Sequence, residues 1–143
     1  MRRFGGLILT RSTAWSHTIE LPVDARSASD ARRFVALHLA EHDLSDLIDD
    51  VQLVVSELAT NALQHANTPF TVSVTALERS VLVMVVDGDT AEPVLLAHRD
   101  LDLGGRGIRL VEALSRSWGV SADAGGGKSV WAVFDIASPA PLP

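Results

Sequence analysis

The 143-residue sequence contains no cysteine, which excludes disulfide bonds, thiolate metal sites and redox chemistry through thiols. Positive charge is also scarce, since 18 acidic residues outnumber 12 lysines and arginines and the net charge is −6. This balance excludes the basic surface that binding to nucleic acids or to anionic membranes requires. The apolar run at 7–9 is too short for the core of a signal peptide or for a membrane span. We therefore expect a soluble, cytoplasmic protein.

Apolar residues are plentiful and make up 47% of the chain. A chain of this length can bury about two-thirds of its unfolded surface around one core. The sequence shows neither internal repeats nor a second domain. We expect one folded domain at 13–137, preceded by a flexible segment at 1–12 and followed by a disordered tail at 138–143.

Hydrophobic periodicity predicts the order of the helices and strands. Alternating residues at 15–21 predict a first strand, and Ser27 with Asp30 resembles a capping box that opens a helix through about Glu41. The later patterns predict a second helix that is capped by Asp43 or Ser45 and ends before Pro69, strands at 70–76 and 81–86 with a turn at 78–80, a flexible lid at 88–103, a helix at 108–114, and strands at 118–122 and 129–136. This order predicts an α/β protein of the two-layer α+β type, in which helices pack on one face of a mixed, mostly antiparallel sheet.

The second predicted helix carries the most informative motif, ELATNALQHA at 57–66. At about 100° per residue, Glu57, Asn61 and His65 span an arc of about 80° beside an apolar stripe. A carboxylate and an amide at the edge of a core need partners that offset their desolvation. Hydrated Mg²⁺ with bound phosphates would supply such partners. The apolar stripe consists of Val51, Val55, Leu58 and Ala62.

Asp87 follows the continuously apolar segment 81–86, which is typical of a central strand that is buried on both faces. A carboxylate at the end of such a strand can be held at the wall of a pocket, where it can accept hydrogen bonds from an adenine amino group. A second interpretation stays open, because Asp87 also begins the sequence Asp87-Gly88-Asp89 and can simply cap that turn.

A glycine-rich segment, Gly104-Gly105-Arg106-Gly107, directly precedes the helix that is predicted to begin near Ile108. Backbone N–H groups in such a segment can approach phosphate oxygens at the positive end of the helix, although glycine clusters before helices are often only loops. The segment does not fit a dinucleotide fingerprint, because no strand leads into it, and it lacks the lysine of a Walker motif.

Gly127, Lys128 and Ser129 open the last predicted strand. Ser129 is placed to reach Asp87 or a water beside a bound base, and Lys128 is placed to approach phosphates. An ordinary turn followed by a strand accounts for the same three residues.

Taken in order, these segments resemble the N, G1, G2 and G3 boxes of the GHKL ATPase superfamily, which includes gyrase, the Hsp90 chaperone, histidine kinases and MutL. The motif at 57–66, the segment at 104–107 and the short single-domain length are similar to those of bacterial anti-sigma factor kinases of the RsbW and SpoIIAB type. The resemblance covers residues 15–136. It implies a Bergerat ATP-binding fold with ATP and Mg²⁺ as cofactors.

The resemblance also implies a role for each matching residue. Asn61 would help to hold the Mg²⁺ that bridges the phosphates, and Asp87 would recognise adenine with support from Ser129. Glu57 would accept a proton from a partner's serine as the γ-phosphoryl group transfers in line. His65 matches a frequent position of the family, although a capping or core-edge role explains it equally well. Gly105 and Gly107 would cradle the phosphates, and the residues expected to bind the nucleotide also include Gly104, Arg106, Ile108 and Lys128.

The function that the resemblance implies is a serine/threonine protein kinase that phosphorylates a STAS-type anti-sigma antagonist and thereby controls a sigma factor. An alternative is a binding module without turnover, in which ATP orders the lid and selects a protein partner. This alternative is favoured by the residues Gly-Asp-Thr after Asp87, which depart from the Asp-x-Gly-x-Gly pattern of the family. Arg32 and Arg33, which are predicted to face outward on the first helix, and the habit of the family lead us to expect a homodimer.

Overall fold

A five-stranded antiparallel sheet with helices against one face forms the framework of the computed structural model. The structure describes residues 2–4, 7–9, 15–65, 68–88, 107–122 and 127–137. The elements are β1 (Arg2–Phe4), β2 (Leu7–Leu9), β3 (Ser16–Leu21), α1 (Ser27–Glu41), α2 (Ile48–His65), β4 (Phe70–Ala76), β5 (Ser80–Asp87), α3 (Gly107–Leu114), β6 (Ser117–Ala122) and β7 (Lys128–Asp135). The strand order across the sheet is β3-β4-β5-β7-β6.

The predicted two-layer α+β sandwich is confirmed. Each neighbouring pair among the five strands is antiparallel, so this sheet is not mixed as the sequence analysis expected. The predicted lid beyond Gly88 and the predicted tail at 138–143 lie outside the described residues.

The segment that the sequence predicts to be flexible, residues 1–12, contains the short strands β1 and β2. They pair as an antiparallel hairpin in which Arg2 lies opposite Leu9. Strands of three residues are too short to show a period, so the sequence pattern gave no sign of them. The flexibility of this segment stays a prediction.

The start of α1 differs from the predicted capping box. Arg26 occupies the N-cap position without a side-chain capping bond, and Ser27 lies inside the helix, where its hydroxyl donates to the carbonyl of Pro22 at 2.7 Å. The carboxylate of Asp24 accepts the backbone N–H of Arg26 at 2.7 Å. This backbone hydrogen bond, with a weaker contribution from the Arg26 side chain, holds the pKa of Asp24 below its ordinary value.

The predicted cap of α2 at Asp43 or Ser45 is also replaced by a different arrangement. One turn of 3₁₀ helix at Ser45–Leu47 leads into α2, and no side chain caps it. Asp43 takes the left-handed conformation with φ of 61°, which aspartate tolerates better than most residues. The end of α2 at His65, before Pro69, agrees with the prediction.

Helices α1 and α2 pack against each other as well as against the sheet. The guanidinium of Arg32 donates to the hydroxyl of Ser56 at 2.9 Å, and the amide of Gln52 donates to the carbonyl of Arg32 at 3.1 Å. Arg32 is therefore half-buried between the helices, which corrects the prediction that it faces outward, whereas Arg33 is exposed as predicted. The inner faces of the two helices are buried at Ala31, Val35, Leu39, Val51, Val55, Leu58 and Ala62, as their periodicity predicts.

Alternation along the strands divides the side chains of the sheet between two buried clusters. On the face that the helices cover, alternate residues such as Val72 and Val85 join the main core. The opposite face carries a second cluster that includes Trp131, and β5 contributes to both clusters, as its continuous apolar run predicted. The ring of Trp131 lies so close to Gly119 on β6 that a Cβ there would be 2.5 Å from a ring carbon. Within the described residues, no helix has both the length and the apolar character to cross a membrane.

Candidate functional site

Helix α2 presents two of the predicted site residues on one side. Glu57 and Asn61 are one helical turn apart, so their side chains project from the same face of the helix. Glu57 is half-buried, and Asn61 is 7% exposed. His65 follows one turn later at the end of the helix, and its side chain lies outside the described part of the structure.

The amide oxygen of Asn61 is the most informative atom of this helix. Oδ1 is buried and has no hydrogen-bond partner among the described residues. Leaving a buried acceptor without a partner costs about 1–3 kcal/mol, so an arrangement of this kind fits a site where a ligand supplies the partner. Magnesium prefers oxygen ligands, and it is bound through few protein groups when phosphates and waters complete its shell. Asn61 therefore fits the Mg²⁺ that the family resemblance implies.

Strand β5 carries Asp87 to the end of the sheet. The register places Asp87 between Phe70 of β4 and Lys128 of β7. Its side chain points to the same face as Val85, which is the face that α2 and the other helices cover. Asp87 is buried in spite of its charge, so its carboxylate belongs to the wall of the core and not to an exposed turn.

A buried ion pair joins Asp87 to Lys128. The ammonium nitrogen of Lys128 lies 3.0 Å from both carboxylate oxygens, and the two side chains are only 3% and 4% exposed. Pairing offsets the cost of removing two charges from water. A carboxylate has about four lone-pair positions, so it can accept hydrogen bonds from several donors at once. The sequence analysis placed Lys128 near phosphates, whereas in the structure it contacts Asp87, the residue that was predicted to recognise adenine.

Ser129 is oriented differently from the expectation. Its Cα lies opposite Val86, one row further from the end of the sheet than Asp87. Because successive residues of a strand point to opposite faces, Ser129 shares the face of Trp131, and Lys128 shares the face of Asp87. A shift of one residue in register inverts every side chain, and only the strand pairing fixes that register.

Gly127 and Gly88 both lie next to Asp87 in the structure. Gly127 has a φ of +90°, and a Cβ there would lie 2.4 Å from the carbonyl oxygen of Asp87. The N–H of Gly88 donates to the hydroxyl of Thr68 at 3.0 Å. The sequence analysis missed both roles, since a run of glycines marks a turn without showing what approaches it, and no sequence signal distinguishes Thr68.

The glycine-rich segment is described only at its end. Helix α3 begins at Gly107, one residue before the predicted start at Ile108, and packs against α2 and β6. The first N–H groups of a helix have no partner within it and can receive an anion. The neighbouring residues that were predicted to bind the nucleotide, Gly104, Gly105, Arg106 and the side chain of Ile108, lie outside the described residues, as does Asp89.

The described residues thus provide three kinds of chemistry on the face of the sheet that the helices cover. The Asp87 carboxylate can accept an N–H from a base, and the Asn61 amide oxygen can bind a divalent cation. The Glu57 carboxylate, one turn from Asn61, can accept a proton from an attacking hydroxyl. This combination is suited to binding a nucleotide and acting on its phosphates.

Residues 21–134 match the family described as "Histidine kinase-like ATPase domain", HATPase_c_2. No curated protein matches the chain. A solved structure, that of the RsbU and RsbW domains of Rv1364c from Mycobacterium tuberculosis, is similar with a TM-score of 0.66 and 20% sequence identity. The match covers 91% of this chain and 35% of that one, so this chain spans about a third of the length of its structural relative.

At 20% sequence identity, the structural similarity is evidence for the fold alone. The family match extends over most of the chain and includes Glu57, Asn61, Asp87 and Lys128. The motifs, the antiparallel sheet and the family match agree, and the chain belongs to the histidine kinase-like ATPase domains of the GHKL superfamily.

Proposed function

We propose that this chain is an ATP-binding regulatory protein kinase of the anti-sigma type, which transfers the γ-phosphoryl group of ATP to a serine of a STAS-type antagonist. The observation that carries the proposal is the buried amide oxygen of Asn61, which has no hydrogen-bond partner among the described residues and lies one helical turn from Glu57. Membership of an ATPase-domain family supports ATP as the nucleotide.

In this proposal, the end of β5 recognises the base. Asp87 accepts an N–H from the adenine amino group, and Lys128 holds the carboxylate in a fixed orientation through contacts to both oxygens. Asn61 supplies an oxygen ligand for Mg²⁺, which when bound neutralises phosphate charge and orients the γ-phosphoryl group. The N–H groups at the start of α3 and the preceding glycines receive the phosphates.

The role of Glu57 is to accept the proton of the attacking serine hydroxyl. As that O–H bond breaks, the serine oxygen forms a bond to the γ-phosphorus, the bond to the β–γ bridging oxygen breaks, and ADP leaves. The half-buried position of Glu57 is suitable for a residue that must meet a partner's side chain. A buried carboxylate at this position could not be reached by an incoming protein.

A second candidate function is the binding module without turnover. It is favoured by the sequence after Asp87, where Gly88 is held by Thr68 and the glycine pattern of the superfamily is altered. In that case, ATP would change the affinity for a protein partner and remain intact. Capture of the partner would then depend on ATP over ADP, and no phosphoserine would form.

The kinase proposal can be tested by incubating the chain with Mg·ATP and the STAS-domain proteins encoded in the same genome. Phosphoserine on the partner is measured by mass spectrometry, and nucleotide binding is measured by calorimetry. Glu57→Gln removes the proton acceptor, and Asn61→Ala removes the proposed metal ligand. Glu78→Gln is the matched control, because Glu78 is exposed in the turn between β4 and β5.

We expect wild type and Glu78→Gln to phosphorylate the partner, and Glu57→Gln to bind ATP with unchanged affinity but to transfer at least 100-fold more slowly, in the range of about 10²–10⁴ for general-base removal. Asn61→Ala should lose the part of ATP affinity that depends on magnesium. Binding without transfer by wild type would favour the switch module. A chain that binds no ATP would overturn both functions.

Control of a sigma factor, a homodimer and a cytoplasmic location belong to the same proposal. Half-burial of Arg32 weakens the argument for a dimer that was based on two outward arginines, and only Arg33 remains exposed. A strict monomer in light scattering at micromolar concentration would remove the dimer from the proposal.

A further inference from the structure

A cluster of three histidines and one glutamate lies where the edge strand β3 meets the end of α1. His17 comes from β3, whereas His38 and Glu41 are in the last turn of α1 and His42 follows it. The Nε2 atoms of His17 and His42 are 3.0 Å apart. With a carboxylate oxygen of Glu41, they form a set of donor atoms that all lie within 4.8 Å of one another.

Ring stacking holds the two facing imidazoles in place. His17 stacks on His38 with ring centroids 3.8 Å apart and planes within 10°. His42 stacks on Trp15 with centroids 3.9 Å apart and planes within 5°. The Nδ1 atom of His38 also lies 2.9 Å from Oε2 of Glu41, within hydrogen-bond distance. The two imidazole nitrogens are therefore brought together by the folded chain alone.

Two imidazole nitrogens and one carboxylate oxygen are a common ligand set for zinc. With Zn–N bonds of about 2.0–2.1 Å, two tetrahedral ligands are about 3.3 Å apart, which is close to the 3.0 Å between the Nε2 atoms of His17 and His42. Glu41 is exposed, so rotation of its side chain can bring an oxygen to the same distance. The C-terminal end of α1 adds a partial negative charge, which favours a cation there.

We propose that His17, Glu41 and His42 form a binding site for Zn²⁺, with a water molecule as the fourth ligand. His38 is a positioning residue, since its hydrogen bond to Glu41 orients a ligand carboxylate, as the partners of metal ligands usually do. Bound Zn²⁺ ties the edge strand β3 to the end of α1. Mg²⁺ is not a competitor, because it prefers oxygen ligands in octahedral geometry.

This site is separate from the candidate nucleotide site and does not depend on the proposed function. Leu21 lies in the same row across the sheet as Asp87, and His17 is four residues from Leu21 along β3. The two sites are therefore about 13 Å apart along the strands and about 10 Å apart across them. Neither site contributes a residue to the other.

The test uses the 143-residue chain without an affinity tag and without nucleotide, and it titrates Zn²⁺ by calorimetry. His17→Gln and His42→Gln each remove one ligand, and His38→Gln removes the positioning hydrogen bond. His98→Gln is the matched control, because it removes one histidine that the proposal does not use. Circular dichroism and thermal unfolding without metal show whether each variant is folded.

We expect wild type and His98→Gln to bind one Zn²⁺ and to unfold at a higher temperature when it is present. His17→Gln and His42→Gln should bind at least 100-fold more weakly, and His38→Gln about tenfold more weakly. Titration with the same concentration of Mg²⁺ should give no heat of binding. Zinc binding by His17→Gln and His42→Gln that equals wild type, or no binding by wild type, would overturn the proposal.

A measurement on the unmodified chain keeps the test decisive if a variant fails to fold. The imidazole signals of the five histidines are followed by NMR as Zn²⁺ is added. Signals of His17 and His42 should move to new positions at one equivalent, while that of His98 should stay in place. Changes confined to other histidines would refute the site.

Discussion

Breaking the Asp87–Lys128 ion pair from either side should destabilise the protein strongly. The ammonium nitrogen is 3.0 Å from both carboxylate oxygens, and the pair is almost fully buried. At this distance the Coulomb attraction is about 5–6 kcal/mol with an effective dielectric constant near 20. Desolvation of the two ions costs several kcal/mol each, so the intact pair contributes little net stability.

Removing one partner takes this counterion away from the other buried charge. We expect Lys128→Met and Asp87→Asn each to lower the free energy of unfolding by about 3–5 kcal/mol. The double variant should cost clearly less than the sum of the two, because it removes both charges of the pair. The matched control is Arg116→Met, which breaks a 3.2 Å ion pair with Asp135 whose side chains are 63% and 62% exposed. That change should cost less than about 1 kcal/mol.

The assay is equilibrium unfolding in urea, with the slope m compared among the variants to detect changes in the unfolded state. The reasoning about burial would be refuted if Lys128→Met cost no more than Arg116→Met. Additive effects of Lys128→Met and Asp87→Asn in the double variant would refute the coupling of the two charges.

Three further predictions concern individual backbone and surface positions. Gly127→Ala should lower the free energy of unfolding in urea by at least about 2 kcal/mol, because φ is +90° and the new Cβ would lie 2.4 Å from the carbonyl oxygen of Asp87. A loss below about 0.5 kcal/mol, which is the usual limit for neutral surface substitutions, would contradict this close approach. Gly119→Ala should lower stability by about 1–3 kcal/mol through overpacking against the ring of Trp131, and unchanged tryptophan fluorescence with an unchanged melting temperature would speak against it. The carboxyl of Asp24 accepts a backbone N–H that lowers its pKa, so its contribution to stability is present above the unfolded value near 3.9 and is lost as the pH falls through the lowered folded value. Acid unfolding of Asp24→Asn should accordingly begin at a higher pH than acid unfolding of wild type. Unfolding curves of the two proteins that coincide would contradict this prediction.

The order and type of the main elements could be predicted from the sequence because their periodicity is strong. The four-residue spacing of Ala31, Val35 and Leu39 predicted α1, and the unbroken apolar run at 81–86 predicted a strand that is buried on both faces. The helix caps could not be predicted in this way. Ser27 lies inside the helix, where its hydroxyl donates to the carbonyl of Pro22, and the sequence pattern does not show that contact.

Some features of the candidate site could also be predicted from the sequence, whereas others depend on the tertiary structure. The sequence by itself determined that Glu57 and Asn61 share a helix face and that Asp87 ends a buried strand, since helical and strand periods are local properties of the chain. Only the tertiary structure decided that Lys128 and not Ser129 faces Asp87, because strand register is set by pairing between segments 41 residues apart. The histidine cluster is likewise a product of folding. His17 and His42 are 25 residues apart in sequence, and only the packing of α1 against β3 brings their nitrogens together.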